Sequence, residues 1–212
     1  MRAVPAVIAI LLLVTSTAGA DARHVRIQTR HHGAIHVWIP DGYDAAHAGV
    51  VVYVHGYFTD VDDAWSDHRL ARQFAASGLD AMFIACEAPE SARDAVTWPK
   101  LTELLARVDA EPSLDLPDGP LIAVGHSGAH RTLGDWFADP DLHTVVLLDA
   151  LYGQVQEVAD WLAQSSDHRL VDISVITRPW AEELHKSLPE TVVFDGLRSV
   201  RADHGKSARS AR

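Results

Sequence analysis

Cysteine is nearly absent: Cys86 is the only one, so no intramolecular disulfide can form and stability must come from the core. Cys86 sits in the apolar run Ala81–Cys86, which makes it a buried structural thiol rather than a nucleophile. Basic residues are also scarce. Against 18 Lys and Arg stand 29 Asp and Glu, a formal charge of -11 that repels phosphate backbones and anionic lipid, so nucleic-acid binding is disfavoured. The thirteen histidines include no His-Glu-x-x-His and no close Cys/His set, so a metal site is not expected. There is no Gly-Pro bias, and 48% hydrophobic with 22% charged residues is the composition of a packed domain. At 212 residues the chain suits one such domain.

What is present begins with an N-terminal address. Arg2, the apolar run Val7–Val14 and the small residues Ala18-Gly19-Ala20 form the pattern of a secretory signal peptide. The run is well short of the roughly 20 residues that span a bilayer. Residues 1–20 are therefore expected to be removed on export to the periplasm or the medium, leaving no integral membrane anchor. The domain proper is expected over residues 21–195. Residues 196–212, with five basic residues against Asp203, form a basic tail expected to fray, whereas residues 21–195 carry 12 basic against 28 acidic.

Between these ends the pattern alternates. Strand-like runs occur at His24–Gln28, Ile35–Ile39, Val50–His55, Ala81–Cys86, Pro120–Gly125, Thr144–Leu148, Val171–Thr177 and Thr191–Phe194. Helices are expected at Asp63–Ser77, Thr97–Asp109, Gly128–Ala138, Gln154–Ala163 and Trp180–Ser187. The first two strands are joined by the polar Arg30–Gly33 and read as an antiparallel pair. From Val50 onward the runs are continuously apolar, as in strands buried on both faces. The fold class is thus α/β, a mostly parallel sheet flanked by helices with an antiparallel N-terminal strand pair.

Three landmarks carry chemistry. In Leu121-Ile-Ala-Val-Gly125-His126-Ser127-Gly128-Ala129 an apolar strand runs straight into Gly-x-Ser-x-small and then a helix. A serine at such a turn is forced into a strained backbone, and the residues two before and two after it must be small for strand and helix to approach. Ser127 also suits a helix N-cap, and both readings can hold together. The second landmark is His55-Gly56-Tyr57-Phe58 after the Val50 strand. Acyl transfer to a serine builds an oxyanion that needs two N–H donors from different segments, and the Tyr57 and Gly128 N–H groups are the candidates. His55 then supports the loop.

On these residues the chain resembles an α/β-hydrolase over about Arg26 to Thr177, in strand order, in His55-Gly56 and in the elbow Gly125–Ala129. The resemblance implies a serine nucleophile, then an acid, then a histidine in chain order, with no metal or organic cofactor. The third landmark is the acid: Thr144–Leu148 ends in Asp149, at the carboxyl end of its strand, where catalytic groups collect in open α/β sheets. Most of the superfamily has its acid one strand later, but Val171–Thr177 is followed by Arg178-Pro179-Trp180 and offers none. A turn or helix cap is the competing role for Asp149. The base must follow the acid, which leaves His168, His185 and His204. His168 precedes a strand, His185 lies in a solvent-facing helix, and His204 is the positional match. If Thr191–Phe194 is not the last strand, the histidine is missing.

Tyr57, Phe58, Trp98 and Tyr152 are expected on loops that wall the pocket. The short connection after Leu148 leaves no room for a lid, so the cleft is expected to be open, suited to a small-molecule or polymer-borne ester. The functional expectation is an exported serine hydrolase cleaving an ester or amide through an acyl-enzyme on Ser127. The alternative is a binding protein on the same fold that lacks a functional histidine.

Overall fold

The computed structural model describes residues 22–188. The expected signal peptide, the strand Thr191–Phe194, His204 and the basic tail lie outside the described residues. Seven strands, β1 Arg23–Gln28, β2 Ala34–Ile39, β3 Gly49–Val54, β4 Ala81–Cys86, β5 Leu121–His126, β6 Leu142–Leu148 and β7 Arg169–Ile173, form one sheet in the order β1-β2-β4-β3-β5-β6-β7. β1 pairs antiparallel with β2, and β2 with β4; every later pairing is parallel.

The continuous apolar runs are explained by burial on both faces. Along β3, Val50, Val52 and Val54 enter one core cluster while Val51 and Tyr53 enter the other. In β4, Met82, Ile84 and Cys86 alternate in the same way with Ala81, Phe83 and Ala85. The larger cluster is closed by α3 Leu101–Asp109, α4 His130–Trp136, α5 Val155–Gln164 and α6 Arg178–Ser187, through residues such as Leu104, Leu133, Trp161 and Leu184. The smaller is closed by α1 Val61–Asp67 and α2 Leu70–Ser77 through Val61, Leu70 and Phe74. Cys86 is fully buried, and burial first, then the charge of Glu87, pushes its thiol far up in pKa.

Three expected elements depart from their bounds by more than two residues, each for a physical reason. The helix expected over Asp63–Ser77 is two helices, broken at His68 and at Arg69, whose φ is 51°. Val61 and Leu70 are both buried in the same core cluster, yet nine residues at 3.6 per turn place them about 180° apart, so one straight helix would not bury both. The helix expected from Thr97 starts at Leu101, because Pro99 restrains the backbone before it and Trp98 packs inward instead. The strand expected over Val171–Thr177 ends at Ile173, because the next backbone N–H groups turn away from the sheet towards Asp149. Among the described residues no helix is long and apolar enough to cross a membrane.

Candidate active site

The site is built where β3, β5 and β6, neighbours in the sheet, deliver their carboxyl ends. Three non-glycine residues there have left-handed backbones: Phe58 (φ 68°), Ser127 (φ 49°) and Asp149 (φ 49°). Each such conformation costs on the order of 1–3 kcal/mol and persists only where the surroundings impose it.

At the end of β5 the surroundings are small residues. A β-carbon on Gly125 would overlap the Leu133 side chain and sit 3.1 Å from the Ala129 Cβ, so strand and helix meet here only because Gly125 has none. Ser127 opens a single 3-10 turn, Ser127–Ala129, that leads into α4. Gly128 lies within that first turn, where N–H groups have no intrahelical acceptor. The Tyr57 ring lies against Gly128, since a β-carbon there would run into it.

The loop after β3 is pressed onto the same turn. A β-carbon on Gly56 would come 3.0 Å from the Ser127 Cβ and 3.1 Å from the His126 carbonyl oxygen. His55 holds this loop from beneath: it is fully buried, its Nδ1–H donates to the Gly56 carbonyl at 2.7 Å, and its Nε2 lies 2.9 Å from both Glu87 Oε1 and the Ala88 N. The Phe58 N–H donates to the Glu90 carbonyl at 2.8 Å, which pins the left-handed residue. The Tyr57 hydroxyl is buried without a hydrogen-bond partner.

Asp149 organises the third loop. Its Oδ1 accepts the N–H groups of Val175 (2.6 Å), Ile176 (2.7 Å) and Thr177 (3.1 Å) and the Thr177 hydroxyl (3.2 Å), while its own N–H donates to Ile173. Burial works against the carboxylate's charge, but the backbone donors outweigh it and hold the pKa below the usual carboxyl range. The cap role weighed for Asp149 is therefore occupied, with all four bonds on one oxygen.

Histidines crowd the elbow without closing on it. His126 is half-buried, edge-on to His68 at 6.1 Å; burial, then the His68 charge, lowers its pKa against the opposing pull of Asp149. His130, missed in the sequence reading, places Nδ1 3.3 Å from the Ser127 carbonyl and is also lowered, chiefly by burial. Its i+3 spacing from Ser127 was the available signal. His168 stacks on Trp161 at 4.4 Å, and His185 is on the exposed side of α6. Among the described residues no imidazole is hydrogen-bonded to the Ser127 hydroxyl or the Asp149 carboxylate.

The four aromatics expected to wall the pocket separate. Phe58 is 93% exposed, and Tyr57 and Tyr152 are half-buried beside the elbow. Trp98 is a core residue, 3% exposed, stacked on His32 at 4.4 Å, with its carbonyl accepting the Trp136 indole N–H at 2.7 Å. Trp180, at the start of α6, is the aromatic the sequence reading missed, 5.6 Å from Tyr152. No group of three or more His, Cys, Asp or Glu among the described residues is arranged to hold a metal ion.

No family model and no curated protein matches the sequence. Solved structures do match the fold. The chain is similar to the fluorophosphonate-binding serine hydrolase F (FphF) of Staphylococcus aureus, at 11% identity and a TM-score of 0.55 over 80% of this chain and 86% of that one. It is also similar to a serine-to-alanine mutant of the feruloyl esterase module from Clostridium thermocellum complexed with sinapinate, at 12% identity and a TM-score of 0.54 over 82% and 75%. With the strand order, this establishes the α/β-hydrolase fold.

Proposed function

We propose that this α/β-hydrolase-fold chain is an exported serine hydrolase that cleaves an ester, or an amide, through an acyl-enzyme on Ser127. The observation that carries the reading is the left-handed Ser127 at a strand–turn–helix tip, with the Gly56 loop so close that a β-carbon on Gly56 would come 3.0 Å from the Ser127 Cβ. A serine that only capped a helix would not need that strain.

In the proposed reaction a histidine takes the Ser127 hydroxyl proton as Oγ attacks the carbonyl carbon. The Tyr57 and Gly128 N–H groups hold the oxyanion, the histidine protonates the leaving group, and water releases the acid by the reverse sequence. Asp149 spends Oδ1 on the turn after β7, which leaves Oδ2 to orient the imidazole. His204, outside the described residues, is the proposed base. The six residues between β6 and α5 are too few to form a lid inserted there, which supports a small or polymer-borne ester as substrate. Export rests on the pattern in residues 1–20.

Labelling with a fluorophosphonate tests the reading. Wild type is expected to react and Ser127→Ala not; equal labelling of the two defeats it. Full turnover by His204→Ala would show that another group is the base. The alternative is a binding protein on this fold that lacks a functional histidine. That reading predicts an intact elbow that does not label.

A further inference from the structure

Phe58 combines two costs at one position. A bulky side chain with φ 68° is a backbone outlier that glycine would relieve, and a ring 93% exposed gains almost nothing from burial. The Phe58 N–H bond to Glu90 holds the strain in place, on the loop that touches Ser127. Neither cost serves the fold, so the ring itself must be of use.

Its neighbours indicate what that use is. From Phe58 a continuous series of rings passes the elbow: Phe58 to Tyr57 at 6.4 Å, Tyr57 to His130 at 6.2 Å, His130 to Tyr152 at 5.2 Å and Tyr152 to Trp180 at 5.6 Å. Four of the rings are half-buried and give the ledge rigidity, while Phe58 is the exposed one. On the turn held by Asp149, Val175 and Ile176, 42% and 70% exposed, add further apolar surface. An offset or edge-to-face partner for Phe58 is a planar aromatic ring.

We propose that Phe58 is a specificity-determining residue that stacks on an aryl ring of the substrate, so that the ester cleaved is aromatic. The proposal rests on Ser127 as the reacting centre. Phe58→Gly is expected to lower kcat/KM for aryl esters about tenfold relative to ethyl acetate, mainly through KM, with a thermal midpoint no lower than wild type. Ethyl cinnamate and benzyl acetate as separate substrates show whether the ring belongs to the acyl or the alcohol side. An unchanged aryl preference overturns the proposal, as does a large fall in the thermal midpoint or a change of oligomeric state in its place.

A binding arm separates this from the hydrolase reading. In Ser127→Ala, cinnamate or benzyl alcohol binding is followed by tryptophan fluorescence, and adding Phe58→Gly is expected to weaken it about tenfold. No binding, or binding indifferent to Phe58, overturns the aryl site. Phe58-dependent binding by a protein that fluorophosphonate does not label upholds the site and removes the hydrolase.

Discussion

Asp149 offers the sharpest test of how the site is held. Replacing it with alanine leaves three backbone N–H groups and the Thr177 hydroxyl without their common acceptor and puts a β-carbon with no polar partner at φ 49°. Hydrogen bonds to a charged group contribute about 1.5–3 kcal/mol each, but four on one half-exposed oxygen share that charge and compete with water. We therefore take about 2–4 kcal/mol for the set, and about 1 kcal/mol more for the backbone conformation that Asp and Asn tolerate and Ala does not. Asp149→Ala is expected to lose about 3–5 kcal/mol, a large share of the roughly 5–15 kcal/mol of an ordinary domain. Asp149→Asn keeps an acceptor and is expected to lose only about 1–2 kcal/mol. Urea denaturation at pH 7 reads both. The folded-state pKa is depressed, so the charge contributes stability above the unfolded value of about 3.9 and loses it as pH falls through the lower native value. The gap between wild type and Asp149→Asn should therefore close in acid. An alanine variant within 1 kcal/mol of wild type, or one no worse than the asparagine variant, would refute the reasoning.

Three further outcomes follow from the same geometry. Asp172 has its pKa raised, first by burial and then by the Asp149 charge, against the Ser174 hydroxyl bond, so its charged form is disfavoured in the fold. Asp172→Asn should raise the thermal midpoint at pH 7, with the gain vanishing as pH falls; a lower midpoint would contradict this. Gly56→Ala drives a methyl against Ser127 and His126 and is expected to slow fluorophosphonate labelling at least tenfold for about 1–3 kcal/mol of stability, and an unaltered rate would show that the two loops are not pressed together. His24 and His36 stack with Trp65 and lie 2.9 Å apart, and burial lowers both pKa values, so their neutral forms stabilise the fold above about pH 6.5 and that contribution is lost below it. His24→Phe keeps the stack and should flatten the pH dependence of the urea midpoint in that range; a slope identical to wild type would place the titration elsewhere.

Much of this molecule could be read along the chain because the signals are local. Strand β4 matched its expected bounds, Ala81–Cys86, since an uninterrupted apolar run has no other stable place than a sheet covered on both faces. The elbow was legible because Gly125 and Ala129 are demands of distance between one strand and the next helix, a few residues apart. His55 was legible for the same reason. Helix phase was less so: whether Asp63–Ser77 is one helix or two depends on where the sheet lies under Val61 and Leu70, which no window of that segment contains. Trp98 looked like a pocket wall because a loop aromatic beside Pro99 has no local reason to be buried. The partner that buries it comes from residues 32 and 136.

By itself, then, the sequence determined the α/β class, the antiparallel start and parallel remainder of the sheet, and a strained serine between a strand and a helix, all consequences of apolar periodicity and steric size within about ten residues. Tertiary structure decided what distant segments do to one another. It set β3 between β4 and β5, and so brought Gly56 and Tyr57 against Ser127 and Gly128. It turned Val175–Thr177 onto Asp149, and it aligned Phe58, Tyr57, His130, Tyr152 and Trp180 across more than a hundred residues of chain. The reason is physical: side-chain size and backbone freedom belong to the residue, whereas burial, hydrogen-bond partners and the pKa shifts they cause belong to the neighbour.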